Sequence, residues 1–343
     1  MLSRVAESVY WISRYVERAE NVARFIDVNY NLTLGEGAAL QEQWAPLVST
    51  TGDSKLFAEL YGDSNRENVL QFLAYDDRNP NSILSCIKYA RENARSIRET
   101  ITAPMWQQIN EFYLLVTSAA REGKSLAEPN EFCDAVKIAS HTLLGLTYAT
   151  MSHGEAWHFA RMGRLMERAD KTSRIVDVQY FILLPSAEDV GTSLDVVRWS
   201  ALLRSASALA MYRRVHGRIT PEEVAEFLVL DRDFPRSMHF CLIRAQDSLR
   251  SITDSQAGTF NCPSEKLMGR LRTELDYTSI DDVIHQGMHE YIDAFQTRLN
   301  QIGDAIHQDF FTVSKESTEA GRAQLKKTGP SSSTQPPSGA RTA

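Results

Sequence analysis

Two Glu-Arg dipeptides, at 17–18 and 167–168, are the part of this sequence that could carry chemistry. A positioned glutamate can give or take a proton, and an arginine can bind an anion that develops during a reaction. Amide or amine chemistry uses both functions in one site. The candidate acid/base and anion-binding residues are therefore Glu17, Arg18, Glu167 and Arg168.

Both dipeptides lie in copies of one segment. Residues 12–34 reappear at 162–184, and nine of the 23 aligned positions are identical. The identical positions include charged side chains. The packing of an apolar core alone would not require these charges to recur. With Glu20 facing Asp170, the further charged candidates are Arg14, Glu20, Arg24, Asp27, Arg164, Asp170, Arg174 and Asp177.

The repeat continues beyond the charged segment. Residues 69–87 align with 224–242, where Pro80 faces Pro235 and Cys86 faces Cys241. The matching positions of the two cysteines predict small buried side chains. Two copies of a unit of about 150 residues therefore account for most of the chain. We expect a first repeat at 1–152, a second at 153–311 that packs with it as one unit, and a disordered tail at 312–343, where Ser, Pro and Gly are frequent.

Helices are predicted throughout, which makes the fold an all-α, multi-helix bundle. Only 17 glycines and 11 prolines occur, and no alternating run of β-branched residues indicates a strand. Capping patterns occur at 64–67 and 220–223, and Pro80 and Pro235 are expected to open the helices that follow them. The main helices are predicted at 3–34, 65–75, 105–122, 130–152, 153–184, 194–215, 262–276 and 280–309.

The charged stripe of the first helix allows three interpretations. Its charges alternate in sign at spacings of three and four. This predicts local pairs on a solvated face: Arg14 with Glu17, Glu20 with Arg24, and Arg24 with Asp27. Apolar Phe25 and Val28 border the stripe, however, and indicate a helix that is packed on all sides. The charges would then form a buried network that joins the two repeats, or they would line a pocket.

Composition excludes several classes of function. The net charge of −7 argues against a general binder of nucleic acid or of anionic membranes. Four cysteines lie far apart without a CxxC pair, so neither a zinc ribbon nor a dithiol site is predicted, and a reducing compartment fits. No signal sequence and no apolar run of 18 residues is evident, so we expect a cytoplasmic protein.

Histidines could ligate a metal or transfer protons at a few positions. Asp282, His285 and His289 share one helix face, but acidic residues and histidines fall at such spacings by chance in this composition. No metal and no cofactor is predicted. His153 and His158, just before the second charged segment, are alternative acid/base candidates.

The sequence resembles the bacterial alpha-E domain family over about 1–311, a family described as helical with an ER motif. The resemblance rests on SVYWISRYVERAEN (8–21), ARENARSIRE (90–99) and WHFARMGRLMERADKTSRIVD (157–177). It adds Arg91, Asn93 and Arg95 to the candidate residues. By spacing, Arg91, Arg95 and Arg98 form a basic line on one helix face, which would either bind carboxylates or phosphates or pair with Glu17, Glu20 or Asp27 inside the bundle.

The resemblance implies a part in an amide-bond-forming system, because family members typically accompany a circularly permuted ATP-grasp ligase and often a transglutaminase-like peptidase. We expect a non-catalytic helical subunit that binds the ligase or its peptide substrate. The alternative is an enzyme of the same pathway that uses the paired Glu-Arg motifs for acid/base chemistry and anion binding. A third possibility is a scaffold whose charges only dock the two repeats.

Overall fold

The computed structural model describes residues 1–35, 44–123, 128–183 and 193–312, and all regular structure in these ranges is helical. The first half contains α1 (Ser3–Gly35), α2 (Ala45–Thr51), α3 (Ser54–Leu60), α4 (Arg66–Ala74), α5 (Ile83–Ser96), α6 (Ala103–Glu122) and α7 (Pro129–Thr150). The second contains α8 (Glu155–Leu183), α9 (Ser193–Ser205), α10 (Leu209–Val215), α11 (Pro221–Val229), α12 (Met238–Thr253), α13 (Pro263–Tyr277), α14 (Ile280–Gln286) and α15 (Met288–Ile306). A π-helical turn, His307–Phe311, follows α15.

Two long helices, α1 and α8, form the centre of the molecule. They run parallel, because the amino group of Met1 bonds Glu155 at 2.9 Å and, further along both helices, Arg168 bonds Glu17. They also approach closely, since a Cβ atom on Gly163 would overlap the backbone carbonyl of Tyr10. The middle of both helices, 19–26 in α1 and 165–173 in α8, is buried at every position.

Each long helix belongs to a closed group of four. Helix α1 packs against α5 and α7, and α6 completes that group between them. Helix α8 packs against α12 and α15, and α13 completes the second group in the same way. The contact between α1 and α8 joins the two groups into one body. The origin of both groups from one duplicated unit stays a prediction.

Residues with side-chain oxygens begin several helices. Thr220 accepts a hydrogen bond from the backbone N–H of Glu223 at 3.3 Å, which confirms the predicted cap of α11. The cap of α4 lies one residue later than predicted, because Asn65 rather than Ser64 accepts from the N–H of Asn68.

The prediction that Pro80 and Pro235 open helices is wrong. Both prolines lie in the preceding turns, and the helices begin after Ser82 and Ser237, whose hydroxyls cap α5 and α12. A serine hydroxyl can accept a hydrogen bond from a free backbone N–H of the first turn. Proline has no backbone N–H of its own and no side-chain acceptor for the others.

Two predicted helices are interrupted. The run 194–215 breaks between α9 and α10, where Ser207 has φ 53°. The run 280–309 breaks at Gly287, whose φ of 98° suits a residue without a side chain. The tail predicted as disordered lies, from residue 313 onward, outside the described residues.

The predicted burial of Cys86 and Cys241 is confirmed, since neither thiol is exposed. Burial raises the pKa of each to about 12, so both stay protonated at neutral pH. Among the described helices, none is long and apolar enough to span a bilayer.

Candidate binding site

The two Glu-Arg dipeptides meet between α1 and α8 and bind each other reciprocally. Arg18 donates from Nε and Nη2 to the carboxylate of Glu167 at 2.6 and 2.9 Å. Arg168 donates from the same two atoms to Glu17 at 2.7 and 2.9 Å. Glu17 is 4% exposed and Glu167 is fully buried, so the interpretation as a solvated face is wrong for these residues.

Each glutamate also faces further cations. Arg14 donates its Nε to Glu167 at 2.8 Å, and Lys171, one turn along α8, places its Nζ 3.8 Å from the same carboxylate. Glu17 instead accepts from Nη1 of Arg236 at 3.1 Å. We call Arg14, Glu17, Arg18, Glu20, Asn21, Arg24, Glu167, Arg168, Asp170, Lys171, Arg174 and Arg236 the buried charge network.

The network fixes the ionisation of its glutamates. Burial alone would raise the pKa of Glu17, but Arg168 and Arg236 outweigh burial and lower it to about 2. Burial would also raise the pKa of Glu167, but the guanidinium groups of Arg18 and Arg14 outweigh burial and hold this pKa well below the ordinary range. Both carboxylates therefore stay ionised and are weak proton acceptors at neutral pH.

Most predicted pairs within the first helix are replaced by pairs between helices. Glu20 does bond Arg24, as the spacing predicts. Arg14 pairs with Glu167 rather than with Glu17, and Asp27 pairs with Lys137 of α7 at 2.7 Å. The packing of α7 and α8 against α1 brings these partners closer than neighbours along the helix.

The second charged segment has local pairs of its own. Arg174 donates to Asp170 at 3.0 Å, and Lys171 lies 3.2 Å from the same carboxylate. Asp177, at the outer end of the stripe, bonds Nδ1 of His289 at 2.7 Å.

Arg91, Asn93 and Arg95 lie outside the network, so the alternative in which the basic line pairs with Glu17, Glu20 or Asp27 is wrong for Arg91 and Arg95. Arg91 donates to Asn110 of α6 at 2.8 Å. Arg95 pairs with Glu92 at 2.6 Å on an exposed face of α5. Asn93 bonds the backbone carbonyl of Tyr89 at 2.9 Å.

A cavity of about 370 Å³ opens beside the network, between α1, α7 and α8. Its charged end is formed by Glu17, Glu20, His141, Arg168 and Arg236. Because α7 runs antiparallel to α1, the side chains nearer the start of α1 and the end of α7 form the other end. That end is mainly apolar and includes Ile12, Met105, Leu144, Tyr148 and Trp157.

Arg164 lies on the wall between these two ends. Its Nε atom is buried without a hydrogen-bond partner, and no ion pair to this side chain occurs within the described ranges. Burial and the nearby Arg168 lower its pKa to about 10, so it is still a cation at neutral pH. Arg164 is therefore a partly buried cation on the cavity wall, which lies near Glu17 but makes no ion pair or hydrogen bond with the described residues.

The ER dipeptides are also the feature by which a known protein family is described. A family model named Alpha-E, described as a predicted alpha-helical domain with a conserved ER motif, matches residues 1–311. The chain belongs to the Alpha-E family. Its ER dipeptides are the reciprocal pairs described above, so in this Alpha-E chain the glutamate of each motif binds the arginine of the other.

The Alpha-E chain also resembles longer mycobacterial proteins. It is 22% identical to a protein of Mycobacterium bovis (AF2122/97) and 21% identical to one of Mycobacterium tuberculosis (H37Rv), both named only as uncharacterised. The alignments cover 88% of this chain and 36% of each relative, so the chain spans about a third of their length. No solved structure matches it.

The histidines considered as metal ligands or acid/base groups make local contacts. Within the described residues, no group of three or more His, Cys, Asp and Glu side chains could hold a metal ion. His285 bonds the backbone carbonyl of Asp281, and His153 bonds that of Tyr148 at 2.9 Å. His158 is half-buried, and burial followed by the charge of Arg161 lowers its pKa.

Arg236 is the main network member that the sequence did not indicate. It donates to Glu20 at 2.8 Å and to Asn21 at 3.0 Å in addition to Glu17. In the aligned repeats it faces Asn81, which accepts a hydrogen bond from Arg18 at 2.6 Å. The alignment of Arg236 with the neutral Asn81 could have indicated this cation, because the rest of the two turns is similar.

Proposed function

We propose that this chain is a non-catalytic helical subunit of an amide-bond-forming system that is linked to an ATP-grasp ligase. One observation carries the proposal: the ER glutamates are saturated by arginines and ionised. A general base needs a pKa near the working pH, and the pKa of Glu17 is about 2. The ER motif thus suits a structural and binding role better than proton transfer.

The family supports the kind of partner. Alpha-E proteins are expected beside, or fused to, a circularly permuted ATP-grasp ligase, with a transglutaminase-like peptidase as a further associate. The cavity beside the network supports a role in holding a substrate, because its volume falls in the range of small-molecule sites, about 300–1,000 Å³. We place the system in the cytoplasm, where the four free cysteines would stay reduced.

Co-purification tests the partnership. The tagged full chain and the ATP-grasp ligase of the same organism are expressed together, and the eluted complex is measured by size-exclusion chromatography with light scattering. We expect one complex of defined mass. An unrelated ATP-grasp ligase is the matched control and should not be retained. Two pure proteins that stay separate at micromolar concentration would contradict the proposal.

A further inference from the structure

The cavity contains more positive than negative charge. Four arginines line it, Arg161, Arg164, Arg168 and Arg236, against two glutamates, Glu17 and Glu20. Both carboxylates are already occupied within the buried charge network. The excess positive charge therefore faces the cavity, where a partly buried cation gains by pairing with an anion.

Comparison of the two aligned segments explains why Arg164 is the unpaired member. Its counterpart Arg14 binds Glu167 at 2.8 Å. The equivalent partner of Arg164 would be Glu17, but Arg236 occupies that carboxylate at 3.1 Å and has no charged counterpart, since it faces Asn81. Arg236 takes the place beside Glu17 that Arg164 would otherwise have, so Arg164 can bind another anion.

Arg161 does not compete for this role. Its Nη1 contacts the hydroxyl of Ser248 at 3.4 Å, and its guanidinium lies over the ring of Trp157, 5.4 Å from the ring centre. Arg161 therefore adds positive charge near the apolar end of the cavity. Arg164 is the arginine whose N–H groups can donate hydrogen bonds to a ligand.

The apolar end defines the rest of the ligand. Trp157 stacks on His153 with 4.2 Å between ring centres, and the exposed ring of Tyr148 lies 6.3 Å from Trp157. Ile12 and Leu144 belong to the same end of the cavity. These side chains suit an apolar or aromatic group and offer little to a small hydrated anion.

We propose that the cavity binds an organic carboxylate, whose carboxylate group pairs with Arg164 and whose apolar body lies against Trp157, Ile12 and Leu144. A guanidinium group matches a carboxylate in shape, because it can donate two parallel hydrogen bonds. The inference deepens the proposed function, and rests on it, by naming the chemical class of substrate that the subunit holds for amide-bond formation.

Calorimetric titration of the full chain tests the assignment with two matched probes, 4-phenylbutanoate and its primary amide, 4-phenylbutanamide. The probes differ only in the charge and the oxygen that Arg164 would bind. We expect the acid to bind at least tenfold more tightly than the amide, because hydrogen bonds to charged groups contribute that much or more. Equal binding of both probes, or no binding of the acid, would overturn the inference.

Two variants locate the anchor. R164Q should weaken binding of the acid at least tenfold and leave binding of the amide unchanged. Its unfolding midpoint should be at least as high as that of the parent chain, because Arg164 makes no ion pair or hydrogen bond with the described residues. R95Q, which removes an exposed arginine on α5, is the control and should bind both probes normally. Undiminished binding of the acid to R164Q would overturn the role of Arg164. If R164Q does not fold, the comparison of acid and amide on the parent chain still decides the question.

Two further measurements separate this inference from its alternatives. Inorganic phosphate should compete poorly with the acid, and competition at equal concentration would indicate a simple anion site instead. L144W, which fills part of the apolar end, should weaken acid and amide alike. A failed titration beside an intact ligase complex contradicts only this inference, whereas a positive titration without ligase binding contradicts only the proposed partnership.

Discussion

Glu17 and Glu167 are buried carboxylates whose bidentate partners lie on the opposite long helix. Each is held by two parallel hydrogen bonds from Arg168 or Arg18, and further cations surround it. A buried ion pair adds little net stability compared with apolar packing, but loss of one partner leaves an uncompensated charge. The consequences of single substitutions at these residues are therefore large and can be measured.

E17Q should destabilise the chain by about 3–5 kcal/mol, because the neutral amide leaves Arg168 and Arg236 buried without their counter-charge. Urea denaturation followed by circular dichroism measures the free energy of unfolding. E92Q, at a glutamate that is 42% exposed, is the control and should change it by less than about 0.5 kcal/mol. Unchanged stability of E17Q, together with lost turnover of the ligase system, would favour the enzymatic alternative.

Acid should unfold the chain through the same carboxylates. The folded pKa of Glu17 is about 2, below its ordinary value of 4.5. A lowered pKa contributes stability that is fully present above the ordinary value, and this contribution is lost as the pH falls toward the folded value. We expect the free energy of unfolding to fall between about pH 4.5 and pH 2. The fall should be shallower in E17Q, and parallel pH curves for both chains would contradict this account.

At the scale of elements, α1 and α8 determine the site by how closely they pack. G163A would place a methyl group against the backbone carbonyl of Tyr10 and force the two helices apart. We expect a loss of about 1–3 kcal/mol in unfolding free energy, as for other overpacked contacts. G303A is the matched control on α15, where a Cβ meets open space. An equal response of both variants would show that the close contact is unimportant.

Each glutamate has a further cation nearby, and the two come from different elements. Lys171 on α8 serves Glu167, and the turn residue Arg236 serves Glu17; the aligned neutral residues are Asn21 and Asn81. We expect R236N to destabilise the chain by about 3–5 kcal/mol. N21K should compensate in that background, because a lysine there can reach Glu17 as Lys171 reaches Glu167.

A double-mutant cycle of R236N and N21K measures this compensation. The two substitutions together should cost at least about 1 kcal/mol less than the sum of the single costs, which is typical of residues in direct contact. Additive effects in urea denaturation would mean that the two sites are independent.

The helices could be predicted and the ER segments singled out from the sequence, because apolar spacing and repeated charge are local patterns. The partners of the charges could not. Asp27 binds Lys137 and Arg14 binds Glu167 because of how α7 and α8 pack, and no local spacing encodes that. The break at Gly287 could have been predicted, because a glycine within a helical pattern indicates a possible interruption. The break at Ser207 has no such signal in the sequence.

At the scale of the whole molecule, the buried charge network makes the two helix groups depend on each other. Glu17 of the first group binds arginines of the second, and Glu167 binds arginines of the first. Each group alone lacks the arginine that binds its buried glutamate through two parallel hydrogen bonds. The two groups should therefore fold as one cooperative unit.

Separate expression of residues 1–152 and 153–311 tests this dependence. We expect neither fragment to show a cooperative thermal transition by itself, and we expect co-expressed fragments to form a stable complex. The full range 1–311 is the control and should unfold in one transition. A fragment that unfolds cooperatively alone would show that the groups are independent domains.

The parallel contact between α1 and α8 also determines when the protein can fold during its synthesis. Glu17 and Arg168 are 151 residues apart in the chain, and the N-terminal member is made first. At about 5–20 residues per second, the ribosome needs about 8–30 s to make the intervening chain. For that time α1 has a half-apolar, half-charged surface without its partner, so the nascent first group is the stage at which chaperone binding would have its greatest effect.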